Sequence, residues 1–215
     1  MTYNIEVSRQ NTYQDSRFSQ EALNQHGCFL VNQEVPYEVR IISSNCAIIT
    51  GSNPDDYLAV IDEFRFNAEH ISEFYDNKEQ LIAQFETKVL RTIPISEIQP
   101  SQFYINQDKY LAVDSFINTA EDVIIPVTKD KHGGYIAIDG HSRLKVAFDK
   151  GISTVLVYES QADAYIFDFV QDAKSRQIES ISDMSVLSHA DYQSKWIDYC
   201  TNKKSNLIGL LFLLV

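Results

Sequence analysis

The stretch AIDGHSRLKVA, residues 137–147, ties an apolar strand end to a helix start, and it restricts the fold more than any other segment. Before it, Lys131-His132-Gly133-Gly134 reads as a hairpin turn, with Tyr135, Ile136, Ala137 and Ile138 as the returning strand. After it, a helix is expected with Leu144, Ala147 and Phe148 turned inward, ending at Gly151, the residue type that commonly closes a helix. Residues 154–158, TVLVY, read as the next strand. A helix that starts directly off a strand brings its N-terminus to the carboxyl edge of a sheet, where ligands commonly sit.

That corner carries chemistry-bearing residues. A helix N-terminus offers unpaired N–H groups and a partial positive charge, so it holds anions. Gly140 lets the backbone turn sharply, and Arg143 can grip phosphate oxygens with two donors. His141 and Ser142 add donors, and Asp139 can hold a metal ion or a substrate amine or hydroxyl. A plainer reading fits the same residues equally well: Ser142 or Asp139 caps the helix and Arg143 pairs with a neighbour. A Ser-His-Asp relay is excluded, because Asp139, His141 and Ser142 lie too close along the chain to converge in that geometry.

Around the corner the chain divides into four parts. Residues 1–26 read as a polar lead-in without sustained period. Residues 27–90 read as a small sheet crossed by a helix, with strands at 28–33, 35–42 and 46–50. Asn53, Pro54, Asp55 and Asp56 form a strong helix start. The apolar stripe Tyr57, Ile61, Phe64, Ala68, Ile71 and Tyr75 predicts one continuous helix whose aromatic face is core. His70 lies beside that stripe and is expected at or near the surface, without a partner.

The middle unit, 91–160, starts with a strand at 93–98. A helix over 107–118 and a strand at 123–127, whose Pro126 suggests a sheet edge, complete its first half. From 161 onward a helical extension is expected, with helices over 162–177 and 190–200. The run LIGLLFLLV, 207–215, is too short for a bilayer, which takes about 20 residues, and is expected to dock on the core. The fold class is therefore α+β.

Composition narrows the function. With 18 Lys and Arg against 30 Asp and Glu, the net charge of −12 weighs against binding a nucleic-acid backbone, which needs cations to displace counterions. It leaves room for a small phosphorylated ligand in a local pocket. Three cysteines, Cys28, Cys46 and Cys200, lack metal-ligand spacing, and the first 20 residues lack an apolar signal core, so a cytoplasmic location and no membrane span are expected.

The order ISEI, QPSQ, helix, IIPV, hairpin, IDGHSRL, helix resembles the ParB N-terminal/sulfiredoxin group, also called ParB-like nuclease domains, over about residues 91–160. The flanks resemble bacterial proteins of the same arrangement. The resemblance implies a nucleotide, ATP or ADP or else CTP, held at Gly140, His141, Ser142 and Arg143, with Asp139 as a Mg2+ ligand and Asp139, His141 and Gln102 as catalytic candidates. Sulfiredoxins carry a catalytic Cys where this chain has His141. Partitioning proteins carry a Gly-Glu-Arg-Arg box, matched here only by Gly140 and Arg143, and a DNA-binding domain not evident here.

The nearest variant is the Asp-Gly-His-His-Arg form of free-serine kinases, with Ser142 replacing the second His. Those kinases use a Glu base where this chain has Gln102, and an amide cannot take a proton from a hydroxyl. Asp108 and Asp139 are the alternative bases in sequence. The resemblance thus implies a small-molecule kinase or phosphohydrolase, or a non-catalytic ligand-sensing or interaction module, with nuclease or DNA-partitioning activity less in keeping with the residues. The 27–90 unit is expected to supply a substrate wall or a contact between copies of the chain.

Overall fold

A computed structural model describes residues 5–203. The chain is α+β. Its N-terminal part is a six-stranded sheet in the order β1 (Val7–Arg9), β2 (Cys28–Val31), β3 (Val35–Ile41), β4 (Cys46–Gly51), β5 (Glu73–Tyr75) and β6 (Leu81–Gln84). Neighbours are antiparallel except β4 and β5, which run parallel. A short helix, α1 (Gln20–Asn24), precedes β2, and α2 (Tyr57–Arg65) crosses between β4 and β5. The sheet buries Phe29, Val39, Ile49 and Phe74 against Val60, Ile61 and Phe64 of α2.

Two expectations fail here for identifiable reasons. The lead-in is not wholly irregular: Val7–Arg9 adds an edge strand, paired Val7 with Val31 and Arg9 with Phe29. The helix starts as expected, with Asn53 Oδ1 accepting from Asp55 N–H, but it stops at Arg65, and Tyr75 belongs to a strand. Arg65 holds the turn that follows: it donates to the carbonyls of Glu69 and Ile71 and lies 3.6 Å over the Phe85 ring. Ala68 and Ile71 stay in the same core, so their spacing imitates a helical stripe the backbone does not follow.

The second sheet has the order β7 (Arg91–Pro94), β12 (Thr154–Glu159), β10 (Ile124–Lys129), β11 (Tyr135–Ala137) and β8 (Ile98–Pro100). Its two edge strands, β7 and β8, are consecutive in the chain, joined by one 3-10 turn at Ile95–Glu97. In a flat sheet four strand spacings would set them roughly 19 Å apart, whereas the four steps from Pro94 to Ile98 reach about 14 Å at most. The sheet must therefore curl into a half-barrel, with Ile95 buried under it.

Pro126 sits on the central strand, not at an edge. Its carbonyl accepts from Ile138 N–H, one residue past the end of β11, so the N–H that proline lacks falls at the last pairing position of that ladder and not inside it.

Helices α3 (Gln107–Asp114), α4 (His141–Asp149) and α5 (Ala164–Ser175) accompany this sheet, and a two-stranded parallel pair joins β9 (Tyr104–Asn106) to β13 (Ser185–Leu187). Leu144 and Ala147 of α4 are buried as expected; Phe148 is 43% exposed, and Val146 takes the inward position instead. Gly151, with φ +75°, closes α4: its N–H donates to the Phe148 carbonyl, and that of Ile152 to Ala147. The last helix begins at α6 (His189–Tyr192) and widens into a π-type turn over Gln193–Ile197, placing Trp196 among Phe103, Phe169 and Tyr199.

The two larger apolar cores, one for each sheet, are separate. Between them lie Asn24 to Ser115 (2.8 Å), Ser160 to Glu69 (2.9 Å), and the His70 ring 5.4 Å from that of Tyr158. The apolar run 207–215 lies outside the described residues. Among those described, no helix is long and apolar enough to cross a membrane.

Candidate functional site

Gly140 turns the chain from β11 into α4 with φ +81°, a left-handed conformation that side-chain-bearing residues rarely adopt. A Cβ there would stand 2.6 Å from Ile125 Cδ1 and 3.0 Å from Arg143 Nη2. The Arg143 guanidinium therefore folds back over Gly140, where its Nη2 lies 3.8 Å from Asp139 Oδ2. Gly140 itself holds the N-cap position and no side chain caps α4. Of the plain reading, the cap by Ser142 or Asp139 is thus not found, whereas the pairing of Arg143 with a neighbour is, with Asp139 as the partner.

This helix end opens into a cavity of about 650 Å³ between the two sheets. Asp139, Gly140, Ser142 and Arg143 line it, with Lys109 of α3. Arg9, His26 and His70 line it from the N-terminal part, and Ile41, Phe64, Ala68, Val113 and Phe116 give it an apolar wall. The volume falls within the roughly 300–1,000 Å³ of small-molecule sites. The charged lining is mixed, Arg9, Lys109 and Arg143 against Asp139, Glu121 and Asp122, and the cations act on Asp139.

Asp139 reports that field. Enclosure within the protein pushes its carboxyl up, but Lys109, Arg143, the Gly140 N–H and His141 outweigh this and lower it to about 2. Its side chain is nonetheless 41% exposed, because it faces the cavity. Burial pushes His26 and His70 down to about 3, with neighbouring cations adding to the effect, so both rings are neutral near pH 7. His26 is held by Tyr13, Oη to Nε2, 3.2 Å. His70 is not a surface residue: it is 4% exposed, and its Nδ1 is buried without a hydrogen-bond partner.

Arg9 is pushed down by burial, against the opposing pull of Glu63 and Asp139. Its Nη2 donates to the Glu63 and Phe64 carbonyls at the end of α2, while its Nε is buried with no partner.

The remaining sequence candidates are placed elsewhere. His141 is buried, and its Nε2 accepts from the Ser101 N–H at 3.1 Å and lies 3.3 Å from Ser101 Oγ; it does not line the cavity. Burial pushes it down to about 4, so it is a neutral tie between α4 and the β8–β9 loop. Gln102 also lies outside the cavity lining: its amide donates to the Tyr104 carbonyl and to Tyr192 Oη, the latter at 3.1 Å. Asp108 is 3.5 Å from His189 and is likewise not part of the lining.

A protein-held Mg2+ does not fit. Among the described residues no three His, Cys, Asp or Glu side chains gather as a metal site, and the Asp139 carboxylate is already balanced by Lys109 and Arg143. The donors the corner offers are the uncapped N–H groups of α4, Ser142, Arg143 and Lys109, the types that hold anions. Sequence reasoning found the four corner residues and missed Arg9, His26, His70 and Lys109 as their companions, since each comes from a distant segment with no local motif.

Comparison with known proteins adds little. No protein-family profile matches the chain, and no curated protein matches it. Among solved structures, protein Atu1540 from Agrobacterium tumefaciens is similar at 21% identity, with a TM-score of 0.35 over 46% of this chain. The chain spans 62% of the length of that protein.

Proposed function

We propose that this protein binds a nucleotide or another phosphorylated small molecule in the cavity between its sheets, with phosphate at the α4 N-terminus. One observation carries the reading: an uncapped helix end, turned by a glycine no other residue can replace without strain, opens into a ligand-sized cavity beside Arg143 and Lys109. The apolar wall at Phe64, Val113 and Phe116 suits a base or comparable apolar group, and the ionised Asp139 suits a ligand hydroxyl or amine. The strand–hairpin–corner–helix–strand order over residues 91–160 supports a ParB/sulfiredoxin-like arrangement.

Calorimetric titration with ATP, ADP and CTP tests the reading. Removing a charged donor from a buried phosphate costs about 1.5–3 kcal/mol, so Arg143→Ala should weaken binding at least about ten-fold. If none of the three nucleotides binds the wild type, or Arg143→Ala binds equally well, the reading is wrong.

Sensing without turnover is favoured over phosphotransfer by a separate observation. Gln102 and His141 are engaged away from the cavity, and Asp139 is held as a carboxylate too acidic to be an effective base. Phosphate release or phosphotransfer that disappears in Asp139→Ala would reverse this preference.

A further inference from the structure

Two polar side chains of the N-terminal part are left incomplete at the cavity. His70 is 4% exposed, and its Nδ1 is buried without a hydrogen-bond partner among the described residues. It is held in place by its ring contact with Tyr158 at 5.4 Å, and its nearest charged influence is Arg143 of the corner. Arg9 spends Nη2 on the last carbonyls of α2 and rests 5.2 Å over Phe29, which leaves Nε buried and unpartnered. Its charge is felt by Asp139 and by His26. A buried donor without a partner costs about 1–3 kcal/mol, and native proteins leave few such groups unexplained.

Both residues line the same cavity as the α4 end, and no described residue completes Arg9 Nε or His70 Nδ1. A ligand with acceptor oxygens would. Resting on the reading of the cavity as a phosphate site, we propose that Arg9 and His70 close that site from the N-terminal part, so that one phosphorylated ligand is held by both halves of the chain. Arg143, Ser142 and Lys109 then hold the phosphate from one unit, while Arg9 Nε and the neutral His70 ring donate from the other. The ligand class is one with at least two separated acceptor groups, such as a di- or triphosphate, or a phosphate with an adjoining polyol. A lone inorganic phosphate, too small to reach donors on both units, should bind far more weakly.

Titration of the full chain with ATP, and separately with inorganic phosphate, tests this in wild type, Arg143→Ala, Arg9→Lys and His70→Phe. Arg9→Lys keeps the charge but removes Nε, and His70→Phe keeps the ring beside Tyr158 but removes both nitrogens. Each should weaken ATP binding at least ten-fold. His70→Phe should also raise the melting temperature of the ligand-free protein, because it removes the orphaned nitrogen, and that gain shows the variant is folded. Wild-type protein should bind ATP at least ten-fold more tightly than inorganic phosphate.

If ATP binds wild type but not Arg143→Ala, while either Arg9→Lys or His70→Phe retains wild-type affinity, the two-sided site is wrong and the corner alone binds phosphate. If wild type binds neither ATP nor phosphate, both the two-sided site and the phosphate reading fall.

Discussion

Replacing Gly140 by alanine should harm the protein twice, and the two effects can be separated. The backbone effect follows from φ +81°, where a non-glycine residue costs about 1–2 kcal/mol. The packing effect follows from a Cβ placed 2.6 Å from Ile125 Cδ1 and 3.0 Å from Arg143 Nη2. Ile125 is fully buried, so it can yield only by moving the core, and overpacking of this kind costs about 1–3 kcal/mol. The sum is about 3 kcal/mol. Gly151 supplies the control: its φ is +75°, but nothing lies within 4 Å of the added methyl, so Gly151→Ala should cost only about 1–2 kcal/mol.

Urea unfolding followed by circular dichroism measures both. With a slope of about 2–3 kcal/mol per molar for a chain of this size, Gly140→Ala should lower the midpoint by about 1–1.5 M, and Gly151→Ala by roughly half as much. Gly140→Ala should also weaken ATP binding, since the methyl evicts the Arg143 head. Equal destabilisation by the two substitutions, within about 0.5 kcal/mol, would refute the steric argument. Undiminished ATP binding by Gly140→Ala would refute the claim that Arg143 needs that space.

Stability should fall as pH drops from about 6.5 toward 4: His26, His70 and His141 stay neutral in the fold at pH values where the unfolded chain protonates them. His141→Gln, whose Oε1 can still accept from Ser101 N–H, should reduce that slope by about one proton, or about 1.4 kcal/mol per pH unit, in denaturation across this range. His141→Ala should be worse by about 1–3 kcal/mol at pH 7, because it strands a buried N–H; equal stability of the Gln and Ala variants would contradict this. Trp196→Ala, which removes a ring 4.8 Å from Phe103 and 5.4 Å from Phe169, should cost about 3–5 kcal/mol by chemical denaturation.

The strands at 28–31, 46–51 and 154–159 were legible because β-branched and aromatic residues cluster between turn signals, and the start of α2 because Asn53 and Pro54 mark it chemically. What escaped had no local signature. Val7–Arg9 is a strand only because Cys28–Val31 lies beside it. The end of α2 escaped because Ala68 and Ile71 reach the same core by a turn that a helix would have reached by rotation. At the site, Asp139, Gly140, Ser142 and Arg143 form a contiguous motif, whereas Arg9, His26, His70 and Lys109 join them only through the placement of one sheet against the other. His141 belongs to the motif in sequence but is turned to Ser101, a direction that spacing does not reveal.

The ten residues that supply both edges of the curled sheet have a consequence for synthesis. Ile93 pairs with Val155 and Ile98 with Tyr135, so the segment leaves the ribosome about 40–60 residues ahead of its partners. At roughly 5–20 residues per second, that is several seconds of waiting with its pairing groups open. Pro94 and Pro100, which end the two strands, lack the N–H that an intruding chain would need, and Arg91 and Glu97 keep the segment charged. The same residues that cinch the sheet shut thus protect it from mispairing while it is still an unfinished nascent chain.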